Sequence, residues 1–168
     1  MNYVVVDPSG SFSEGKGHTG MAYMRGDDWS SLETISVGAS AFPSRHRYWT
    51  MVKENILGYA SRDSDTIVII ESFMIRNNGF LIGSMPETIR LIGYLEYELE
   101  AHGVKYTFQT PSQAKARFKD KDLCKCIPGM SYRPSVNRYY LNDKMCNDHV
   151  RDALKHLLYF KRYQESKA

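Results

Sequence analysis

No stretch of this sequence stays apolar for the roughly 20 residues that a membrane-spanning helix needs, so no such span is expected. Nor does a basic region followed by an apolar core stand at the N-terminus, so no export signal is expected. Cysteine is scarce. Cys124, Cys126 and Cys146 are odd in number and clustered late, which argues against a disulfide framework and for a reduced, intracellular, cytoplasmic protein. Charge of one sign is not in excess either: a formal net charge of +3 says little about partners until its distribution is considered. There is no internal repeat and no low-complexity block. What remains is 168 residues, 42% hydrophobic and 24% charged, which suits one domain with a real core.

The most informative stretch is Tyr3-Val4-Val5-Val6-Asp7, followed at once by Pro8-Ser9-Gly10. Three β-branched residues without alternation read as a central strand covered on both faces. Asp7 stands where that strand leaves the core. Either it caps a turn ahead of Pro8, or its charge is compensated by something such as a divalent metal. Asp65 to Phe73 repeats the logic: Ile67-Val68-Ile69-Ile70 and then Glu71. Ligands gather at the carboxyl ends of parallel strands in an α/β sheet. If these two strands are parallel neighbours, joined by a right-handed crossover, Asp7 and Glu71 converge.

The glycine-rich run after Asp7 invites comparison with a phosphate loop. Gly10, Gly15 and Lys16 fit, but Gly17 stands where the magnesium-binding hydroxyl belongs. The following Gly20 to Met24 reads as a strand, whereas a phosphate loop opens a helix. The run is therefore expected to connect antiparallel strands, with Lys16 and His18 at its tip. Arg25 to Ser31 reads as a polar turn and Glu33 to Val37 as a third strand. Pro43-Ser44 precedes a helix over Arg45 to Ser61, whose apolar stripe is Trp49, Val52, Ile56 and Tyr59, widened by Leu57. A loop from Met74 to Ser84 containing Asn77-Asn78-Gly79 leads to a second helix, Met85 to Ala101. Its stripe is Ile89, Ile92, Leu95 and Leu99 with Leu91 beside it, and Gly103 caps it. Val104 to Phe108 is a further strand.

Composition changes from Pro111 to Arg138. Lys115, Arg117, Lys119, Lys121, Lys125, Arg133 and Arg138 face only Asp120 and Asp122, an excess larger than that of the whole chain, with Phe118, Tyr132, Tyr139 and Tyr140 interleaved or adjacent. Basic residues mixed with aromatics suit a nucleic-acid surface, through phosphate charge and base stacking; a solvated basic loop is the plainer alternative. Lys16, Arg45 and Arg47 extend the same set. The final helix, Asn147 to Tyr163, carries Val150, Ala153, Leu154, Leu157 and Leu158 as its stripe. His149 and Asp152 share a face at its edge. Asp148 suits an N-cap, whereas Asp152 lies inside the helix on a nearly buried flank.

Three short motifs in this order resemble one family. Val5-Val6-Asp7-Pro8-Ser9-Gly10 with downstream Thr19-Gly20, then Ile69-Ile70-Glu71, then His149-Val150-Arg151-Asp152-Ala153-Leu154 are similar to the acidic strand ends and terminal helix of RuvC-like Holliday-junction resolvases of the phage type. The resemblance covers essentially the whole chain. It implies a ribonuclease-H-like α/β fold: a mixed sheet of an antiparallel three-strand meander plus parallel strands, flanked by helices. It also implies a single nuclease domain over 1–168, with an insertion-like basic segment at about 111–145. The loop from Ser9 to His18 is longer than the family's, and the basic segment does not match it residue by residue.

What the resemblance implies chemically is a two-metal endodeoxyribonuclease acting on four-way or other branched DNA. Mg2+, with Mn2+ as a substitute, would be held by Asp7 as bridging ligand and by Glu71 and Asp152 at one metal each, with two ions about 3.5–4 Å apart. His149 would touch metal or water, with Asp148 as the alternative fourth ligand. Lys16, Arg45, Arg47, Lys115, Arg117, Lys119, Lys121, Arg133 and Arg138 would hold DNA. Two symmetric cuts imply a homodimer, for which the second helix with Tyr94 and Tyr97 is a candidate interface; a phage-encoded enzyme would act in the host cytoplasm. The rivals are a zinc site of Cys124, Cys126, Cys146 and His149, disfavoured because C-x-C is an uncommon ligand pair; a related nuclease on RNA–DNA hybrid, flap or fork; and a non-catalytic DNA-binding protein on the same fold.

Overall fold

The computed structural model describes residues 1–13, 15–72 and 85–165. The loop expected over Met74 to Ser84, and Phe73 before it, lie outside the described residues. Five strands form the main sheet: β1 (Asn2–Asp7), β2 (His18–Arg25), β3 (Asp28–Gly38), β4 (Thr66–Glu71) and β5 (Lys105–Gln109), in the order β3-β2-β1-β4-β5. β1 pairs antiparallel with β2 and parallel with β4; β2–β3 is antiparallel and β4–β5 parallel. This is the expected antiparallel meander joined to parallel strands.

The uninterrupted apolar runs of β1 and β4 have a direct cause. Side chains alternate across a strand, and both faces of this sheet are covered. Tyr3, Val5, Ile67 and Ile69 enter one buried cluster together with Val150, Ala153, Leu154 and Leu157 of α5 (Asp148–Tyr163). Val4, Val6, Val68 and Ile70 enter a second cluster with residues of α1 (Arg45–Ala60) and α2 (Met85–Ala101) on the other face. α1 begins at Ser44, whose side chain accepts from the Arg47 amide. α2 ends as expected, with Gly103 at φ +65° in the left-handed conformation glycine favours.

Most of the expected stripe residues are buried, Val52, Ile56 and Tyr59 in α1 and Leu95 and Leu99 in α2, but each helix shifts in part. In α1 it is Tyr48, not Trp49, that is fully buried alongside Val52, Ile56 and Tyr59, while Trp49 is half-buried. In α2 the buried line is Leu91, Leu95 and Leu99; Ile89 is exposed and Ile92 half-buried. In both helices several apolar residues compete for one face, and the contact with the sheet decides among them. The turn read over Arg25 to Ser31 is shorter than expected, because β3 already starts at Asp28.

The basic segment is folded. α3 (Pro111–Lys115) and α4 (Asp120–Cys126) lead into a second sheet of three antiparallel strands, β6 (Met130–Arg133), β7 (Arg138–Leu141) and β8 (Lys144–Cys146). Phe118, Leu123, Ile127, Met130, Leu141 and Cys146 join the cluster beneath α5, which ties this segment to the main sheet. Asn142 and Asp143 link β7 to β8 with φ of +47° and +66°, the two-residue turn with positive φ at both positions that tightly twisted hairpins use.

Candidate metal centre

Strand alternation aims the acidic residues. Asp7 follows Tyr3 and Val5 on the α5 face of β1, and Glu71 follows Ile67 and Ile69 on the same face of β4. Val6 pairs with Ile70, so the two carboxylates stand one residue further along adjacent parallel strands. α5 crosses this end of the sheet and supplies Asp152. One carboxylate oxygen from each of Asp7, Glu71 and Asp152 lies within 4.8 Å of the others. No other group of three or more metal-capable side chains forms among the described residues.

The close approach of α5 depends on Gly20. It pairs with Asp7 across the β1–β2 ladder, and a Cβ there would collide with the backbone of His149 and Val150. The first turn of α5 therefore lies directly on the strand next to Asp7, and His149 Nδ1 sits 2.8 Å from Asp7 Oδ2. Gly10 is also tightly approached: a Cβ there would collide with the Glu87 carbonyl, and its amide donates to Thr88 Oγ1 at 3.0 Å. The loop between β1 and β2 is thereby fastened to α2. Buried Glu87 completes the fastening, accepting from the Ser13 amide and hydroxyl and from Arg45. Tyr48 supports the same strand end: its hydroxyl donates to the Ser9 carbonyl at 2.6 Å and lies 3.0 Å from Thr19 Oγ1.

Cations already crowd the carboxylates. Lys115 Nζ lies 3.0 Å from Glu71 and 2.7 Å from Asp152. Lys155 bridges Asp152 at 2.8 Å and Asp120 at 2.6 Å, and Arg151 joins Asp120 to Asp148. Fully buried His156 faces oxygen with both ring nitrogens, Gln109 Oε1 at 2.7 Å and Glu71 Oε2 at 2.7 Å. Gln109 is fixed in turn by donating to Gln164. His18 stacks on His149 with ring centroids 6.5 Å apart.

Protonation follows these surroundings. Burial pushes the Asp7 carboxyl up, with the His149 hydrogen bond pulling the other way. The hydrogen bond to Asp7 raises the His149 imidazole, against the effect of its own burial. Burial would raise the Asp152 carboxyl too, but Lys115 and Lys155 hold it below the usual aspartate range. Burial opposes the charge of Lys115, yet the Asp152 hydrogen bond and the Glu71 and Asp7 charges hold its ammonium above the usual lysine range.

Of the expected site residues, Asp7, Glu71 and Asp152 come together, with His149 on Asp7. Asp148 does not. Its side chain is exposed and paired with Arg151, and the N-cap of α5 is Asn147, whose side chain accepts from the Val150 amide. The three cysteines do not form a centre with His149: Cys146 is buried, Cys124 half-buried and Cys126 exposed, outside any metal-capable group among the described residues. Among the expected DNA-binding residues, Lys16, Arg45, Arg47, Arg117, Lys119, Lys121, Arg133 and Arg138 are exposed. Arg45 is paired with Glu87 and Arg133 with Asp143. Lys115 is the exception, turned inward onto the carboxylates. His156, Gln109 and Lys155 were not foreseen. The spacing His149, Asp152, His156 along one helix face was the available signal for His156.

The fold is that of RuvC. Thermus thermophilus RuvC in complex with a Holliday junction substrate matches with a TM-score of 0.67 at 16% identity, over 99% of this chain and 96% of that one. A structure described as Thermus thermophilus RuvC matches with a TM-score of 0.61 at 16% identity, over 96% of each chain. No protein-family model matches the sequence, and no curated protein matches it.

Proposed function

We propose that this chain is a metal-dependent, structure-selective endodeoxyribonuclease that hydrolyses phosphodiesters in four-way or other branched DNA, a resolvase of the phage type. The observation that carries the proposal is the meeting of Asp7, Glu71 and Asp152 at the carboxyl ends of two parallel strands under α5. Three carboxylates this close repel one another unless cations neutralise them. An all-oxygen donor set suits Mg2+ or Mn2+ and not a thiolate-seeking metal. Bound there, such ions would supply an activated water and stabilise the departing 3′ oxygen.

The side chains have separable tasks in this reading. Asp7, Glu71 and Asp152 hold the metal. His156, locked by Gln109, fixes the orientation of Glu71, and Lys155, locked by Asp120, fixes Asp152. His149 sits beside Asp7 at the open edge of the site, within reach of metal or water. The exposed Arg117, Lys119 and Lys121 follow Lys115 directly and suit the phosphates of the strand to be cut. Arg133 and Arg138 offer charge from the small sheet, where Tyr132 is also exposed. The segment of about 111–145 is then an elaboration of a single nuclease domain working as a cytoplasmic homodimer, with the exposed Tyr97 on α2 at the subunit contact. No described helix is long and apolar enough to cross a membrane.

The test is a cleavage assay with Mg2+ on a four-way junction, a fork, an RNA–DNA hybrid and linear duplex, with Asp7→Asn as control. Symmetric nicks in the junction that vanish in the variant, while its folding and DNA binding persist, are the expected result. Cutting confined to hybrid or fork would keep the site and change the substrate. Binding without cutting would make this a DNA-binding protein on a nuclease fold, and nicking retained by Asp7→Asn would remove Asp7 from the site.

A further inference from the structure

Building on that metal-site reading, we infer that Lys115 is a resident cation: its ammonium holds Glu71 and Asp152 in the metal-free protein and is expelled when the divalent cation loads. Its nitrogen lies 3.0 Å from Glu71 Oε1 and 2.7 Å from Asp152 Oδ2, and both carboxylates belong to the trio that converges within 4.8 Å. Mg2+ takes its oxygen ligands at about 2.0–2.1 Å in an octahedral shell. An ammonium bonded to two of those carboxylates leaves no room for that shell and repels the incoming charge.

Three nitrogen-bearing side chains touch Glu71 or Asp152, and only one is built to leave. His156 is fully buried and bonded to Gln109 on its far side. The Lys155 side chain is 11% exposed and anchored to Asp120 at 2.6 Å. The Lys115 side chain is 34% exposed, and the two carboxylates are its ionic partners. It projects from the last residue of a five-residue helix, so rotation about its own bonds carries the ammonium into solvent without moving α5. There it would join Arg117 and Lys119, which are exposed just after it in the chain. The repulsion between Glu71 and Asp152 is thereby offset while the site is empty, and the charge released on loading is delivered to the surface where a phosphate backbone would lie.

The test is calorimetric titration of the full chain with Mn2+ in the absence of DNA, for wild type, Lys115→Met and Asp7→Asn, together with thermal melting in EDTA. With the competitor removed, Lys115→Met should bind Mn2+ on the order of tenfold more tightly than wild type. It should melt lower than wild type in EDTA, because Glu71 and Asp152 lose a counter-charge. If that variant does not fold, Lys115→Gln, which retains a hydrogen-bond donor, should show the same sign. Equal or weaker Mn2+ binding by a folded variant overturns the resident-cation role while leaving the metal site intact. Absence of Mn2+ binding in both wild type and Lys115→Met overturns the metal site and the inference with it, whereas loss in Asp7→Asn alone supports the site.

Discussion

Replacing His156 by leucine probes the support of the carboxylates without touching one. The imidazole is fully buried and faces two acceptors, Gln109 Oε1 and Glu71 Oε2, each at 2.7 Å. Leucine fills much of the same volume but strands both oxygens. A buried polar group left without a partner costs about 1–3 kcal/mol, more when charged, so the loss should be about 3–5 kcal/mol. For a chain of this size, melting shifts by about 2–4 °C per kcal/mol, which places the fall near 10 °C in EDTA. The freed Glu71 should also bind metal about 10–100-fold more weakly, as is usual when a group that orients a ligand is removed. Differential scanning calorimetry and Mn2+ titration read the two effects separately. The double variant Gln109→Leu with His156→Leu should be less destabilised than the two single losses added, since it strands fewer groups. A His156→Leu protein that melts within about 2 °C of wild type and binds Mn2+ normally would refute the reasoning.

Two further outcomes follow from the geometry. Gly20→Ala should destabilise the protein by about 1–3 kcal/mol, as overpacking of a tight contact does, and should depress cleavage beyond what the stability loss explains, because α5 is pushed off the strand beside Asp7; chemical denaturation and single-turnover nicking check this together, and unchanged nicking would contradict it. Asp152 is held below the ordinary aspartate range by Lys115 and Lys155 against the effect of burial, so its ionised form contributes stability that is full above the unfolded value near 3.9 and is lost as pH falls through the lower folded value. In EDTA the stability gap between wild type and Asp152→Asn should therefore be widest above about pH 4 and close on acidification; a gap that widens in acid would contradict the pairing.

Some of this was legible in the chain because one residue pattern had one physical solution. Val4-Val5-Val6 and Ile67-Val68-Ile69-Ile70 have no polar alternation, so both faces had to be covered, and the sheet with helices on both sides follows. The convergence of Asp7 and Glu71 needed only that the strands be parallel neighbours. Where several solutions existed, local pattern was insufficient. Tyr48 and Trp49 are both large and apolar, and the choice rests on tertiary contacts: Tyr48 packs on the sheet and its hydroxyl meets Ser9 and Thr19. The small sheet from Met130 to Cys146 was hidden by its charge, although Asn142-Asp143 between Leu141 and Lys144 is a recognisable tight-turn pair. His156 was hidden because α5 is covered nearly all round, by the main sheet on one side and by α3 and α4 on the other, so its buried face is wider than the leucine stripe. Lys115 looked like one more cation in a basic run. Its inward turn depends on where α3 meets α5, a tertiary contact that no local spacing encodes.

The most direct measurement is anomalous scattering from crystals of the full chain soaked in Mn2+. The account predicts manganese density bounded by Asp7, Glu71 and Asp152, with the Lys115 ammonium withdrawn from Glu71 and Asp152. Manganese bound elsewhere, with the carboxylates still paired to Lys115 and His156, would contradict it.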